Sequence, residues 1–281
     1  MGVVVLTLAF AGPAAAGHHK IKLAPGVDRR TAGGSQNPAR LTHTLSHAEE
    51  ANNVMSIIRR TYDHGYFQTA LHRSSPDSQR NHRRLQIILD YHRNGRLLEI
   101  GPGTGEFLRL ASSCFDVEGI DISSHAVARA HPDLSDRIRV GNIEQTPLAP
   151  ETYQVIAAFN ILEHLREPAA VIQRTRQALL HTGCLVGSVP CNSGPVGRVY
   201  TQVTNFFDRT HCSTLAPDQW RALFLTAGFS TIRFFGEQPV GPHYSLHIHG
   251  RHWQHISPNM MFVCNCSAGG PNVDLVTAAP T

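Results

Sequence analysis

Three glycines spaced two apart follow an acidic residue in Glu99-Ile100-Gly101-Pro102-Gly103-Thr104-Gly105, directly after the apolar pair Leu97-Leu98. Glycine is required where a loop takes φ > 0 and where a ligand must lie against the main chain, because any Cβ stands in the way. An apolar strand, a tight turn and a helix start in that order present unpaired backbone N–H groups, which is the chemistry of a nucleotide-binding turn. Dinucleotide sites favour G-x-G-x-x-G, whereas here Glu106 takes the place of the third glycine and Gly105 comes one residue early. A second acid, Asp121, ends the run Glu118-Gly119-Ile120 roughly twenty residues after Glu99, where one carboxylate can accept from both hydroxyls of a ribose. Ser123 and Ser124 are at hand to cap the helix that follows, which leaves Asp121 for a ligand, and Ile122 can pack on a base.

Strands at Leu97–Ile100, Val117–Ile120, Ile138–Val140, Val155–Phe159 and Cys184–Val189 alternate with helices at Glu106–Ser112, Ser124–Ala130 and Ala169–Leu180. Such alternation implies right-handed crossovers and a doubly wound parallel sheet, in which ligands bind beyond the carboxyl ends of the strands. The glycine turn sits there. Upstream, helices are expected at Ile57–Phe67 and Pro76–Arg93, the second with Leu85, Ile88, Leu89 and His92 at helical spacing after the polar run Gln79 to Arg84. Downstream, Pro217–Ala227 reads as a helix stopped by Gly228, followed by strands Phe229–Phe235 and Met260–Cys266. No helix is expected between those last two strands, so they should pair antiparallel.

The chain has 281 residues, 41% of them hydrophobic, which is enough for one sizeable core. Its net charge of +4 is spread thinly over a charged fraction of 16%, so no basic stripe marks a nucleic-acid surface. Six cysteines at irregular positions form no disulfide framework, and Cys264 and Cys266 stand as C-x-C rather than as a zinc-type C-x-x-C. No apolar run approaches the roughly 18 residues that span a bilayer. The expectation is a cytoplasmic protein without stable membrane insertion. Val3–Gly12 with Ala14-Ala15-Ala16-Gly17 loosely resembles a signal peptide that lacks its basic residues, and a start near Met55 is the preferred reading. His64, His72, His82 and His92 read as solvated, Tyr62, Tyr66 and Phe67 as core, and His243 to His255 as a substrate-side flap carrying Tyr244 and Trp253 rather than a metal site.

The pattern E-x-G-x-G-x-G at Glu99 to Gly105, followed by Asp121, resembles motif I and the next acid of class I S-adenosylmethionine-dependent methyltransferases. Phe159-Asn160-Ile161-Leu162-Glu163-His164 is similar to the loop after the fourth strand in the ubiquinone-biosynthesis O-methyltransferase group. Asp208-Arg209-Thr210-His211, with Pro217, Trp220, Leu223, Phe224 and Ala227-Gly228-Phe229 behind it, resembles a segment of related small-molecule methyltransferases. The resemblance covers Leu97 to Cys266. It implies an α/β, Rossmann-like doubly wound sheet of order 3-2-1-4-5-7-6 with strand 7 antiparallel, and S-adenosyl-L-methionine as cofactor.

The resemblance also assigns residues. Glu99, Gly101, Gly103 and Gly105 would line the methionine portion, Asp121 and Ile122 the ribose and adenine, and Asn142 and Ile143 the adenine edge, with Asn142 standing where relatives commonly carry Asp. Phe159 would complete the cofactor site. Asn160, His164 and His211 would face the acceptor, His211 as general base, since an imidazole can take a hydroxyl proton near neutrality. Relatives with Glu at the Asn160 position have been associated with a divalent metal, and Asn160 leaves an Asn/Glu/His set that suits a hard cation poorly, so no metal is expected. Glu163, His164, Asp208 and His211 could instead simply hold their loops.

The chain is thus expected to divide into an extension that is disordered or not native (1–54), an N-terminal helical cap (55–94), the cofactor-binding core (95–190), an acceptor-site insert (191–216), a C-terminal helix with an antiparallel strand pair (217–267) and a flexible tail (268–281). The expected activity is methyl transfer to a small-molecule acceptor, chiefly O-methylation. A non-catalytic cofactor-binding protein of the same fold and an NAD(P)-dependent oxidoreductase are the alternatives. A protein or RNA methyltransferase is disfavoured, since the fourth-strand loop lacks the N-P-P-Y or D-P-P-Y pattern.

Overall fold

The computed structural model describes residues 78–208, 210–240, 244–250 and 252–267. All described residues lie in one compact unit. The expectations for residues 1–54, for Ile57–Phe67 with its aromatics and histidines, and for 268–281 lie outside the described residues.

Helix α1 (Gln79–Leu89) opens the described chain, its first turn capped by Ser78, whose hydroxyl accepts the Asn81 N–H at 3.2 Å. Leu85, Ile87 and Ile88 form its buried side. Strand β1 (Arg96–Ile100), helix α2 (Glu106–Ala111), strand β2 (Asp116–Asp121), helix α3 (Ser124–Val127), strand β3 (Ile138–Val140), strand β4 (Tyr153–Phe159), helix α4 (Pro168–Ala178) and strand β5 (Leu179–Pro190) then alternate as the pattern predicts. Helix α5 (Gly194–Phe207) and helix α6 (Pro217–Thr226) follow, then strand β6 (Thr231–Val240), strand β7 (Tyr244–Ile248), the single-turn helix α7 (Trp253–Ile256) and strand β8 (Asn259–Asn265).

The eight strands lie in the order β3-β2-β1-β4-β5-β8-β6-β7. β3 through β5 run parallel, and β8 is antiparallel to both of its neighbours, β5 and β6. β8 therefore occupies the place of the expected antiparallel strand 7 and β6 that of strand 6. β7 is an addition, hairpinned to the outer edge of β6 through pairs from Gly236↔Ile248 to Val240↔Tyr244.

Central strands buried on both faces require near-continuous apolar sequence, and the alternation of side chains splits it between two cores. Leu98, Ile100, Ile156, Leu185 and Phe262 pack with Trp220 and Phe224 on one face, while Leu97, Val155, Val186 and Met261 pack with Leu85, Ile88, Phe107 and Leu108 on the other. Phe224 is fully buried, with ring centroids of Phe262 at 5.0 Å and Trp220 at 6.3 Å.

Two expectations are corrected. The expected flap is not seen in the described residues: Tyr244–Ile248 pairs as an edge strand, and of the two aromatics Trp253 is buried in the first core while Tyr244 is exposed. His92 is not solvated either, since it is half-buried with its Nδ1 3.1 Å from Gln154 Nε2. All six cysteines are free thiols.

Candidate active site

The turn after β1 is built on left-handed glycines at φ 72°, 58° and 83° for Gly101, Gly103 and Gly105. A Cβ at Gly101 would meet Ile161 Cδ1 at 2.1 Å, so only glycine lets this turn sit against the loop after β4. The Gly103 N–H donates to Asp121 Oδ2 at 2.8 Å, and the Ser123 N–H donates to Asp121 Oδ1 at 2.7 Å. Ser123 Oγ caps α3 by accepting the Ala126 N–H, as the sequence implies. Asp121 thus joins the two turns that a nucleoside would contact, and each of its oxygens keeps a further acceptor site. Burial raises its carboxyl above the usual range, opposed by those two N–H donors.

Glu99, on the face of β1 toward α1, is 4% exposed and its Oε2 has no hydrogen-bond partner. Burial pushes its carboxyl up to about 8 against the opposing pull of the Arg84 guanidinium. A buried carboxyl with an unmet oxygen beside a glycine cradle fits the ammonium end of S-adenosyl-L-methionine.

At the third strand, Asn142 Oδ1 accepts the Glu144 N–H at 2.9 Å, and its carbonyl accepts from Thr146 Oγ1 at 2.7 Å. The Ile143 side chain belongs to the core, so what this residue offers a ligand is backbone. Arg174 fixes the loop through the carbonyls of Ile143 and Glu144 at 2.7 and 2.8 Å. Ile122 is half-buried beside Asp121.

Phe159 ends β4 with its ring edge-on to Phe107 at 5.0 Å and the Arg84 guanidinium 4.3 Å above its centre. Arg84 was not legible as a site residue, although its position next to Leu85 puts it at the border of the buried face of α1. Asn160 adopts φ 55°, which asparagine tolerates better than most side chains. Its N–H donates to the Ser188 carbonyl at 2.8 Å and its Oδ1 accepts from Ser188 Oγ at 2.9 Å, tying it to β5.

A second cluster forms around the loop that follows α5. The N–H groups of Cys212 and Ser213 donate to the Glu163 carbonyl at 2.8 and 2.9 Å, docking His211 against the turn after β4. The His164 and His211 rings meet edge to face at 4.7 Å. His211 Nδ1 lies 2.6 Å from Asn205 Oδ1; that oxygen accepts only, so Nδ1 carries the proton and Nε2 is left as the basic atom. Asp208 Oδ2 lies 3.9 Å from Nε2. Burial lowers the His211 pKa below the ordinary imidazole value, with Asp208 opposing. Thr210 Oγ1 donates to Asp208 Oδ1 and stands 2.7 Å from His164 Nδ1, which makes a chain from imidazole through hydroxyl to carboxylate. Of the residues that orient the two histidines, Thr210 stands in the Asp208-Arg209-Thr210-His211 segment singled out by resemblance, whereas Asn205 carried no role in the sequence reading.

Glu163 is 1% exposed, and burial raises its carboxyl to about 8. One ligand atom each from Glu163, His164 and His211 lies within 4.8 Å of the others. The donor set available to a cation is therefore Glu/His/His, with Asn160 engaged by Ser188 instead, and such a set suits a borderline transition metal better than a hard ion.

The family model described as Methyltransferase domain matches residues 62–233. The chain is 34% identical over 109 residues to the ubiquinone biosynthesis O-methyltransferase of Photobacterium profundum, covering 34% of this chain and 46% of that protein. It is 27% identical over 123 residues to the phosphatidylethanolamine N-methyltransferase of Cereibacter sphaeroides, covering 41% of this chain and 61% of that one. In each case the match spans less than two thirds of the curated relative. Among solved structures, a SAM-dependent methyltransferase from Archaeoglobus fulgidus is similar with a TM-score of 0.54 at 15% identity, over 66% of this chain and 92% of the other. One from Thermotoga maritima gives 0.53 at 17% identity, over 67% and 89%. At these identities the likeness is one of fold.

Proposed function

The chain belongs to the methyltransferase-domain family and uses S-adenosyl-L-methionine as its cofactor, and on that premise we propose that it methylates a small-molecule acceptor at a hydroxyl oxygen. The cofactor supplies a methyl carbon that is already electrophilic, so the protein's work is alignment of the acceptor and removal of its proton. Gly101, Gly103 and Gly105 let the methionine portion lie on the backbone, and Glu99 takes its ammonium. Asp121 uses its remaining acceptor sites for the ribose hydroxyls, beside Ile122. Asn142 and the Ile143 backbone border the adenine, and Phe159 closes the site at the end of β4.

The observation that carries the O-methylation reading is the orientation of His211. Its Nδ1 is committed to Asn205 and its Nε2 is basic and close to Asp208, and burial keeps the ring neutral near pH 7. Nε2 takes the hydroxyl proton as the oxygen attacks, and Asp208 balances the imidazolium that results. Asn160, held by Ser188, and His164, held by Thr210, border the acceptor.

The test is transfer of tritiated methyl from S-adenosyl-L-methionine to a panel of hydroxyl- and amine-bearing small molecules. Label should appear on a hydroxyl oxygen and be lost in His211→Ala. Transfer to amines alone would overturn the O-methylation reading.

A further inference from the structure

Four enclosed polar atoms lie on the α1 side of the sheet, three of them on residues not described above and the fourth on Arg84, which borders Phe159. Glu237 on β6 is 1% exposed, and its register partner on β7 is His247. Two residues along the same face, Ser245 on β7 is fully buried. Glu237 Oε1, His247 Nε2, Ser245 Oγ and Arg84 Nε are all enclosed, and none has a hydrogen-bond partner. The Arg84 guanidinium, stacked over Phe159 at 4.3 Å, is within electrostatic reach of Glu237. The Tyr200 hydroxyl on α5 lies within electrostatic reach of both Glu237 and Glu163.

Buried polar atoms are nearly always paired, and four unmet atoms in one place ask for a ligand. Their chemistry limits what it is. Glu237 Oε1 only accepts, Arg84 Nε only donates, and Ser245 Oγ and His247 Nε2 can each do either. The Glu237 and Arg84 charges cancel, and burial keeps His247 neutral. A carboxylate or phosphate has no proton for Glu237 and repels it. An ammonium has no acceptor for Arg84 and meets Arg80 and Arg83 as well, which also flank this cluster. A neutral hydroxyl both donates and accepts.

We propose that Glu237, Ser245 and His247, facing Arg84, form a specificity pocket that receives an uncharged, hydroxyl-bearing end of the methyl acceptor. The inference rests on the methyl-transfer reading of the adjoining site. It assigns Glu237 to selection of the acceptor by charge, while the cofactor turn and His211 remain separate from it.

The test uses the full chain. Calorimetry with S-adenosylhomocysteine comes first, because failure to bind overturns the methyl-transfer reading and this inference with it. The saturated complex is then titrated, by ligand-observed NMR, with cis-cyclohexane-1,2-diol, cyclohexanecarboxylate and cyclohexylammonium, three probes of one frame and different charge. The diol should bind at least tenfold more tightly than either ion. Glu237→Gln keeps the shape and an acceptor oxygen but removes the charge, so the carboxylate should gain at least fivefold relative to the diol while S-adenosylhomocysteine affinity stays within twofold. Ser245→Ala should weaken the diol about threefold, the effect of one lost hydrogen bond. An ion bound as tightly as the diol, no diol binding in a complex that holds S-adenosylhomocysteine, or an unchanged preference in Glu237→Gln each overturns the proposal.

Discussion

The Gly103 N–H points into Asp121, 2.8 Å from Oδ2, so the turn after β1 and the end of β2 are held by one carboxylate. The Ser123 N–H holds its other oxygen at 2.7 Å. A side chain fixed by two backbone donors cannot swing, and the acceptor sites it has left are presented in one place. Pre-organisation of this kind lowers the ordering cost of binding.

His211→Ala should lower methyl transfer by about 10²–10⁴, the range of general base catalysis, and leave S-adenosyl-L-methionine affinity unchanged. Asn205→Ala should reduce turnover too, by releasing the tautomer that leaves Nε2 basic. In the wild type the acid limb of kcat should fall below the ordinary imidazole value, because burial lowers the His211 pKa. Steady-state kinetics across pH 5 to 9 checks all three, and an unchanged kcat in His211→Ala would make that residue scaffold.

Glu99→Gln should change the pH dependence of stability. The folded chain holds the Glu99 proton up to about 8 against an ordinary value of 4.5, so this contribution is full below about pH 4.5 and is lost as pH rises through 8. Melting of the cofactor-free protein at pH 5, 6.5 and 8 should show the variant gaining on wild type with each step. S-adenosyl-L-methionine should meanwhile bind about tenfold more weakly, from loss of one charge-assisted contact. Parallel melting curves would contradict the buried, unmet carboxyl.

The glycine turn, the first five strands and the antiparallel β8 were legible because each rests on local signals: glycine spacing, continuous apolar runs, and a connection lacking a full crossover helix; the order of the strands followed only from the family resemblance. β7 and α5 were not, because both are turned inside out. Tyr244 and Leu246 face outward while Ser245 is buried, and on α5 Val196 and Val199 are exposed while Thr201 is buried. Amphipathic patterning misleads where the polar side faces a site. The meeting of His164 with His211, and of Arg84 with Phe159, joins residues far apart in the chain, which spacing cannot reveal. The Asn160 substitution became intelligible only with its left-handed backbone and its bond to Ser188.

Phe224→Ala should destabilise the domain by about 3–5 kcal/mol, since the ring is fully buried among Trp220, Phe229 and Phe262 and its loss leaves a cavity. Urea unfolding monitored by circular dichroism measures this, and a loss below about 1 kcal/mol would mean that the α6 face repacks.

Chelation separates the two uses of the Glu163, His164 and His211 set. With His211 as proton acceptor, turnover should survive exhaustive treatment with EDTA. Loss of turnover restored by zinc and not by magnesium would mean that Glu163, His164 and His211 hold a metal ion rather than leaving His211 free to accept the proton.

The central claim is that the Asp121-anchored turn binds S-adenosyl-L-methionine. Calorimetric titration of wild type and Asp121→Ala tests it most directly. One site per chain is predicted for the wild type, with affinity reduced at least tenfold in the variant, as expected when a buried acceptor of two hydroxyl bonds is removed. Equal affinities in the two proteins, or no binding to the wild type, would contradict the account.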